Sequence, residues 1–137
     1  MAAMTERFRR SLDALPAIFE LGRIFVARDR LGPAIQFAVE FVMEEIFTNI
    51  LKYNPEGRSD VEITLEVSEG ELIVRLTDFD TDRFDVNTDA PQVDIAKPLS
   101  ERAPGGLGLH LVKKMMDRVE YIHENRTGTI NLYKRLE

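Results

Sequence analysis

The chain has 137 residues, 44% of them hydrophobic, a formal net charge of -6 and no cysteine. That length supports one domain, residues 1–137, with a substantial core, and the missing cysteine excludes disulfides, thiol catalysis and thiolate metal sites. The acidic balance argues against binding along a nucleic-acid backbone, which needs a clustered basic surface, and no run of about 18 apolar residues is present to span a membrane.

The first ten residues mix Glu6 with Arg7, Arg9 and Arg10 and lack the apolar stretch of a signal peptide, so the cytoplasm is the expected location. Pro16 suits the first turn of a helix, where its missing N–H costs nothing. Ile18, Leu21 and Phe25 then mark one buried face before Gly32 and Pro33. A second helix is expected from Pro33 to Tyr53, with Ala38, Phe41, Val42 and Ile46 turned inward; the same spacing brings Glu45 and Asn49 alongside that stripe, one turn apart. Val61, Ile63, Leu65 and Val67 alternate with polar neighbours, Ser68-Glu69-Gly70-Glu71 turns the chain, and Leu72, Val74 and Leu76 resume the alternation as a hairpin. Period two carries the apolar face on to Asp78, where a leucine would be ordinary.

From Asp82 to Pro104, aspartates and prolines interrupt every pattern, which reads as a long loop of the kind that forms lids or binding segments. Gly105, Gly106 and Gly108 then open a helix expected to bury Leu111, Val112, Met115 and Val119. Unpaired N–H groups and the helix dipole make such a start an anion site, although a capped helix entered through a Pro-Gly turn explains the same residues. Val119 to Glu124 and Thr129 to Leu136 read as a second hairpin across Asn125-Arg126-Thr127-Gly128. The expected fold class is α+β, a two-layer α/β sandwich with a mixed, mostly antiparallel sheet covered on one face by helices.

Three places put polar groups where leucines belong: Glu45 with Asn49, Asp78, and the glycine segment. A carboxylate taken from water must find partners or change its pKa, so each is either a structural contact or a ligand contact. Glu45 could pair with an arginine, Asn49 could bond nearby backbone, and Asp78 could end its strand as a turn former. A nucleotide would use all of them together: Asn49 offers an amide oxygen to Mg2+, Glu45 a proton acceptor, Asp78 an acceptor for adenine's amine, and the glycines a phosphate cradle. Thr129 could add a hydroxyl beside Asp78, although it also suits an ordinary strand position. His110 and His123 are the only imidazoles, at no metal-binding spacing.

Glu45-Ile-Phe-Thr-Asn49-Ile-Leu-Lys-Tyr53 resembles the N box of the GHKL ATPase superfamily, Thr77-Asp-Phe-Asp-Thr-Asp82 stands at its G1 box, Gly106-Leu107-Gly108-Leu109 at its G2 box, and Gly128-Thr129 at its adenine-pocket threonine. Within that superfamily the chain is most similar to the anti-sigma-factor serine/threonine kinases. The resemblance implies a Bergerat-type ATP-binding fold with residues 83–104 as ATP lid. It makes Glu45 the general base, Asn49 the Mg2+ ligand, and Asp78, Asp82, Gly105, Gly106, Leu107, Gly108 and Thr129 contacts to ATP. It further implies phosphorylation of a STAS-type anti-sigma antagonist, binding of a sigma factor, and a homodimer. Asp80 and Asp82 stand where relatives carry glycine, or glycine and proline, and Tyr53 where many carry histidine. Two carboxylates near a phosphate repel it, which leaves a second reading open: a regulatory module that binds its partner but has lost efficient nucleotide use.

Overall fold

Alternating apolar and polar residues build the sheet, and the two expected hairpins supply four of its five strands. The computed structural model describes residues 2–81 and 106–136; the expected lid over 83–104, together with Asp82 and Gly105, lies outside the described residues. In chain order the elements are β1 (Met4–Phe8), a 3-10 turn (Leu12–Ala14), α1 (Leu15–Asp29), α2 (Pro33–Tyr53), β2 (Val61–Ser68), β3 (Glu71–Asp78), α3 (Gly106–Met115), β4 (Arg118–Glu124) and β5 (Thr127–Arg135). The strands lie in the order β1-β2-β3-β5-β4. Every pairing among the described residues is antiparallel, so the sheet expected to be mixed shows no parallel pair there.

One face of this sheet is apolar and the helices cover it. Ile63, Leu65, Leu72, Val74, Leu76 and Leu132 are fully buried against Ile18 and Phe25 of α1 and Val39, Val42, Met43 and Phe47 of α2. The opposite face carries polar cross-strand pairs: the Thr5 and Thr64 hydroxyls lie 2.9 Å apart, Arg75 Nε donates to Asn131 Oδ1 at 2.6 Å, and Asn131 Nδ2 donates to Glu120 at 3.0 Å. Such pairs suit a sheet face that is not packed under a second layer. Among the described residues no helix is long and apolar enough to cross a membrane.

Helix α2 takes its expected bounds, Pro33–Tyr53, and α1 ends before Gly32 and Pro33. Pro16 sits in the first turn of α1, and Ile18, Leu21 and Phe25 are buried. The buried face of α2 is wider than its predicted stripe: Val39, Met43, Phe47 and Ile50 join Ala38, Val42 and Ile46, while Phe41 is half-buried. The face of α3 is rotated from expectation. Leu109, Val112 and Met116 are buried, Met115 is half-buried, and Leu111 is 41% exposed. The helix stops at Met115, so Val119 belongs to β4, opposite Leu132, and does not extend the helical face. Strand β1 escapes a reading by periodicity because Met-Thr-Glu-Arg-Phe has apolar residues only at its ends; it pairs along β2 as an edge strand, Met4 opposite Leu65 and Phe8 opposite Val61.

The second hairpin turns more tightly than expected. Asn125 and Arg126 alone form the tip, with φ of 50° and 62°, the left-handed pair that a two-residue hairpin loop requires. Thr127 and Gly128 are already in β5. This fixes the register of β5 against β4, His123 opposite Gly128 and Tyr121 opposite Ile130.

Candidate functional site

Helix α2 forms one wall of the site, and its turns present Glu45, Asn49, Ile50 and Tyr53 in succession. At 1.5 Å per residue, Glu45 and Tyr53 stand about 12 Å apart along the axis. Beyond Tyr53 lies a cleft lined by Ile50, Tyr53, Asn54, Asp78, Thr81, Tyr121, Gly128 and Ile130. A pocket with apolar walls and a few convergent polar groups is the usual form of a small-molecule site.

Asp78 closes β3 at the position after Leu72, Val74 and Leu76 on the buried face, and it is 4% exposed. The inward direction read from period two therefore holds. Burial of a carboxylate calls for partners, and three groups supply them. Arg10 Nη2 ion-pairs with Oδ1, the Asp80 N–H donates to Oδ1 at 3.3 Å, and Asn54 Nδ2 donates to Oδ2 at 3.1 Å.

Thr129 does not join Asp78. In the β3–β5 ladder Asp78 stands opposite Gly128 and Thr77 opposite Thr129, and strand alternation sends Thr129 to the other face of the sheet. The residue facing the pocket is Gly128, where a Cβ would lie 3.0 Å from Tyr121 Oη and 3.1 Å from Thr81 Cγ2. The hydroxyls beside Asp78 are thus those of Thr81 and Tyr121, neither of which the sequence reading singled out.

The turn after β3 is tied to the tip of the β4–β5 hairpin. Arg126 O accepts from the Thr81 N–H at 2.9 Å, and His123 Nε2 donates to Thr81 O at 2.8 Å. Asp80, standing where glycine is usual, turns toward one guanidinium and one backbone amide: Arg126 Nε and Nη2 lie 3.1 and 2.9 Å from its Oδ1, and the Arg58 backbone N–H lies 3.3 Å from Oδ2. The hydrogen bonds from Arg126, then from the Arg58 backbone, hold the Asp80 carboxyl below its ordinary value. Its charge has partners within the protein. The two residues that supply them come from the α2–β2 loop and the hairpin tip.

At the other end of the wall, Glu45 and Asn49 meet the start of α3. Asn49 is buried, and its Nδ2 donates to Glu45 O at 2.6 Å, one turn back. Its Oδ1 is buried with no hydrogen-bond partner among the described residues, a state that costs free energy unless a ligand relieves it. Glu45 is half-buried, and burial first, then the neighbouring Glu44 charge, pushes its carboxyl above the ordinary range, with Lys52 opposing. Gly108 in the first turn of α3 lies against that carboxylate: a Cβ there would overlap Oε2 and fall 2.9 Å from Oε1. Gly106 and Leu107 open the same helix, whose first turn carries no acidic side chain.

These residues fit a Mg2+-nucleotide. The orphaned Asn49 oxygen is a hard donor of the kind Mg2+ takes, the helix start offers amide N–H groups to phosphate, and glycine keeps the approach open. Among the described residues no group of three or more acidic or imidazole side chains could hold a metal alone. A cation at Asn49 would draw its remaining oxygens from phosphate and water, which is how Mg2+ is usually held.

Residues 8–134 match the histidine kinase-like ATPase domain family. The serine-protein kinase RsbW of Listeria monocytogenes serovar 1/2a is 30% identical over 140 residues, covering 95% of this chain and 88% of that protein. Its counterpart in Listeria innocua serovar 6a is 29% identical over the same shares. Of solved structures, the RsbU and RsbW domains of a Mycobacterium tuberculosis protein superpose with a TM-score of 0.70 at 11% identity, covering 99% of this chain and 32% of that one. This chain thus spans about a third of that protein's length. The SiaB-SiaC complex from Pseudomonas aeruginosa superposes with a TM-score of 0.66 at 16% identity, covering 95% and 88%. At such identities the structural likeness speaks for the fold alone.

Proposed function

This chain belongs to the histidine kinase-like ATPase domain family, and from that membership we propose that it is an ATP-dependent serine/threonine protein kinase serving as an anti-sigma regulatory factor. Its substrate on this reading is a serine or threonine of a STAS-type antagonist, and its sequestered partner a sigma factor. The serine-protein kinases among its relatives support the reaction class. The single observation that carries the reading is the cluster at the start of α3: a carboxylate of raised pKa, an amide oxygen unpartnered among the described residues, and a glycine that keeps them accessible.

Each of these residues has a task. Asn49 Oδ1 would hold Mg2+, which when bound would neutralise phosphate charge. The N–H groups at the start of α3 bind phosphate oxygens, and Asp78 accepts a hydrogen bond from the adenine amine inside the pocket. Glu45 takes the proton of the attacking hydroxyl; its oxygen bonds to the γ-phosphorus as the bond to the ADP oxygen breaks. A carboxyl shifted upward is a stronger base than an ordinary one. The protein acts as a homodimer in this proposal, which light scattering tests directly.

Incubation with labelled ATP and the STAS-type partner recovered by pull-down yields a phosphoprotein, and Glu45→Ala abolishes it. Transfer that survives the substitution contradicts the assigned base. The alternative, a partner-binding module with little use of nucleotide, drew on Asp80 and Asp82 in place of glycine. Pairing of Asp80 with Arg126 weakens that motive, because the carboxylate is already compensated.

A further inference from the structure

Arg10 lies outside every motif, yet its side chain is 10% exposed and reaches across the fold to the carboxylate at the end of β3. It leaves the segment after β1 and donates from Nε to Ser59 O at 2.8 Å and from Nη1 to Asn54 O at 3.3 Å, while Nη2 ion-pairs with Asp78 Oδ1. The guanidinium passes over Gly57, where a Cβ would lie 2.7 Å from Nε and closer still to the guanidinium carbon. The passage is thus built for this side chain: any larger residue at 57 would displace it.

From this geometry we infer that Arg10 is a positioning residue for recognition of the nucleotide base, fixing the Asp78 carboxylate so that its remaining acceptor capacity serves a donor in the pocket. The inference rests on the nucleotide reading above. Oδ1 is engaged by Arg10 and the Asp80 N–H, whereas Oδ2 accepts only from Asn54 among the described contacts. A carboxylate oxygen accepts about two hydrogen bonds, so one site on Oδ2 stays open. The forked guanidinium binds in a fixed plane, anchored at Ser59 O and Asn54 O, which holds the carboxylate in one orientation. An ionised carboxylate accepts and never donates, so it selects a base with an exocyclic amine and gains nothing from one without. Arg10 itself does not line the cleft; it acts through Asp78.

The test compares calorimetric Kd values for Mg-ATP and for Mg-purine riboside triphosphate, which lacks only the 6-amine. The wild type is expected to prefer ATP about tenfold or more. Arg10→Ala should weaken ATP until the two Kd values agree within about threefold, with purine riboside triphosphate nearly unchanged. Because loss of one partner of a buried pair can unfold a protein, Gly57→Ala serves as an independent variant that crowds Arg10 and should narrow the same ratio, and Arg10→Lys should restore only part of it. Equal losses for both nucleotides, or a ratio that ignores Arg10 and Gly57, overturns the inference and leaves the nucleotide reading standing. A wild type that binds neither nucleotide overturns both.

Discussion

The two ends of the α2 wall are built on opposite terms. At the cleft end the polar groups are already engaged: Asp78 has Arg10, Asn54 and the Asp80 N–H, and Asp80 has Arg126 and Arg58. At the α3 end Asn49 keeps a buried oxygen without a partner among the described residues, and Glu45 carries a carboxyl shifted upward by burial and a like charge. Engaged groups give a rigid wall that reads shape and a single hydrogen bond. Groups left unsatisfied carry a cost that a ligand removes on binding, and it is there that chemistry is to be expected.

If the unsatisfied end does the chemistry, Glu45→Gln gives the largest effect. Phosphotransfer in single turnover should fall about a hundredfold to ten-thousandfold, while the Kd for Mg-ATP stays within about threefold. Gly108→Ala comes next. Its methyl group displaces the Glu45 carboxylate, and a misplacement of that size should lower transfer about a hundredfold, with weaker ATP binding alongside.

Asn49→Leu sharpens the contrast because it should act in opposite directions on ligand and fold. Removing the orphaned oxygen should raise the stability of the ligand-free protein by about 1 kcal/mol, read from the denaturant midpoint, and cost about tenfold or more in Mg2+-dependent ATP affinity. The same kind of change at the engaged end should do little. Asp80→Asn, which removes a charge already compensated by Arg126, should alter ATP affinity by less than about threefold. A large gain would mean that Asp80 repels the phosphates after all.

The pH dependence of stability gives the smallest effect. The folded-state pKa of Glu45 is raised above its ordinary value, so its contribution to stability is fully present below that ordinary value, about 4.3, and is lost as pH rises through the folded pKa. Glu45→Gln, which cannot ionise, should therefore compare better with the wild type at pH 7 than at pH 4 in thermal melts.

What the sequence made legible follows the strength of local pattern. Period two carried the apolar face of β3 through to Asp78, and helical spacing put Glu45 and Asn49 on one side of α2, because both periods are fixed by backbone geometry. The placement of Thr129 depended on the pairing of β5 with β3, strands distant in the chain, which sets Gly128 opposite Asp78 and Thr129 opposite Thr77. A shift of one residue exchanges the faces of a strand. Tyr121 and His123 were available from the same alternation once β4 was in register with Ile130 and Gly128. Arg10 was not: its contact with Asp78 joins residues 68 apart in the chain, and no local period encodes it.

The most direct test is a calorimetric titration of Mg-ATP into the ligand-free protein, with Asn49→Leu run in parallel. Micromolar binding by the wild type, weakened about tenfold or more in the variant, is the predicted result. Heat-silent mixing at millimolar Mg-ATP, or equal affinity in the two proteins, would contradict the assignment of the unsatisfied end of α2 as the nucleotide site.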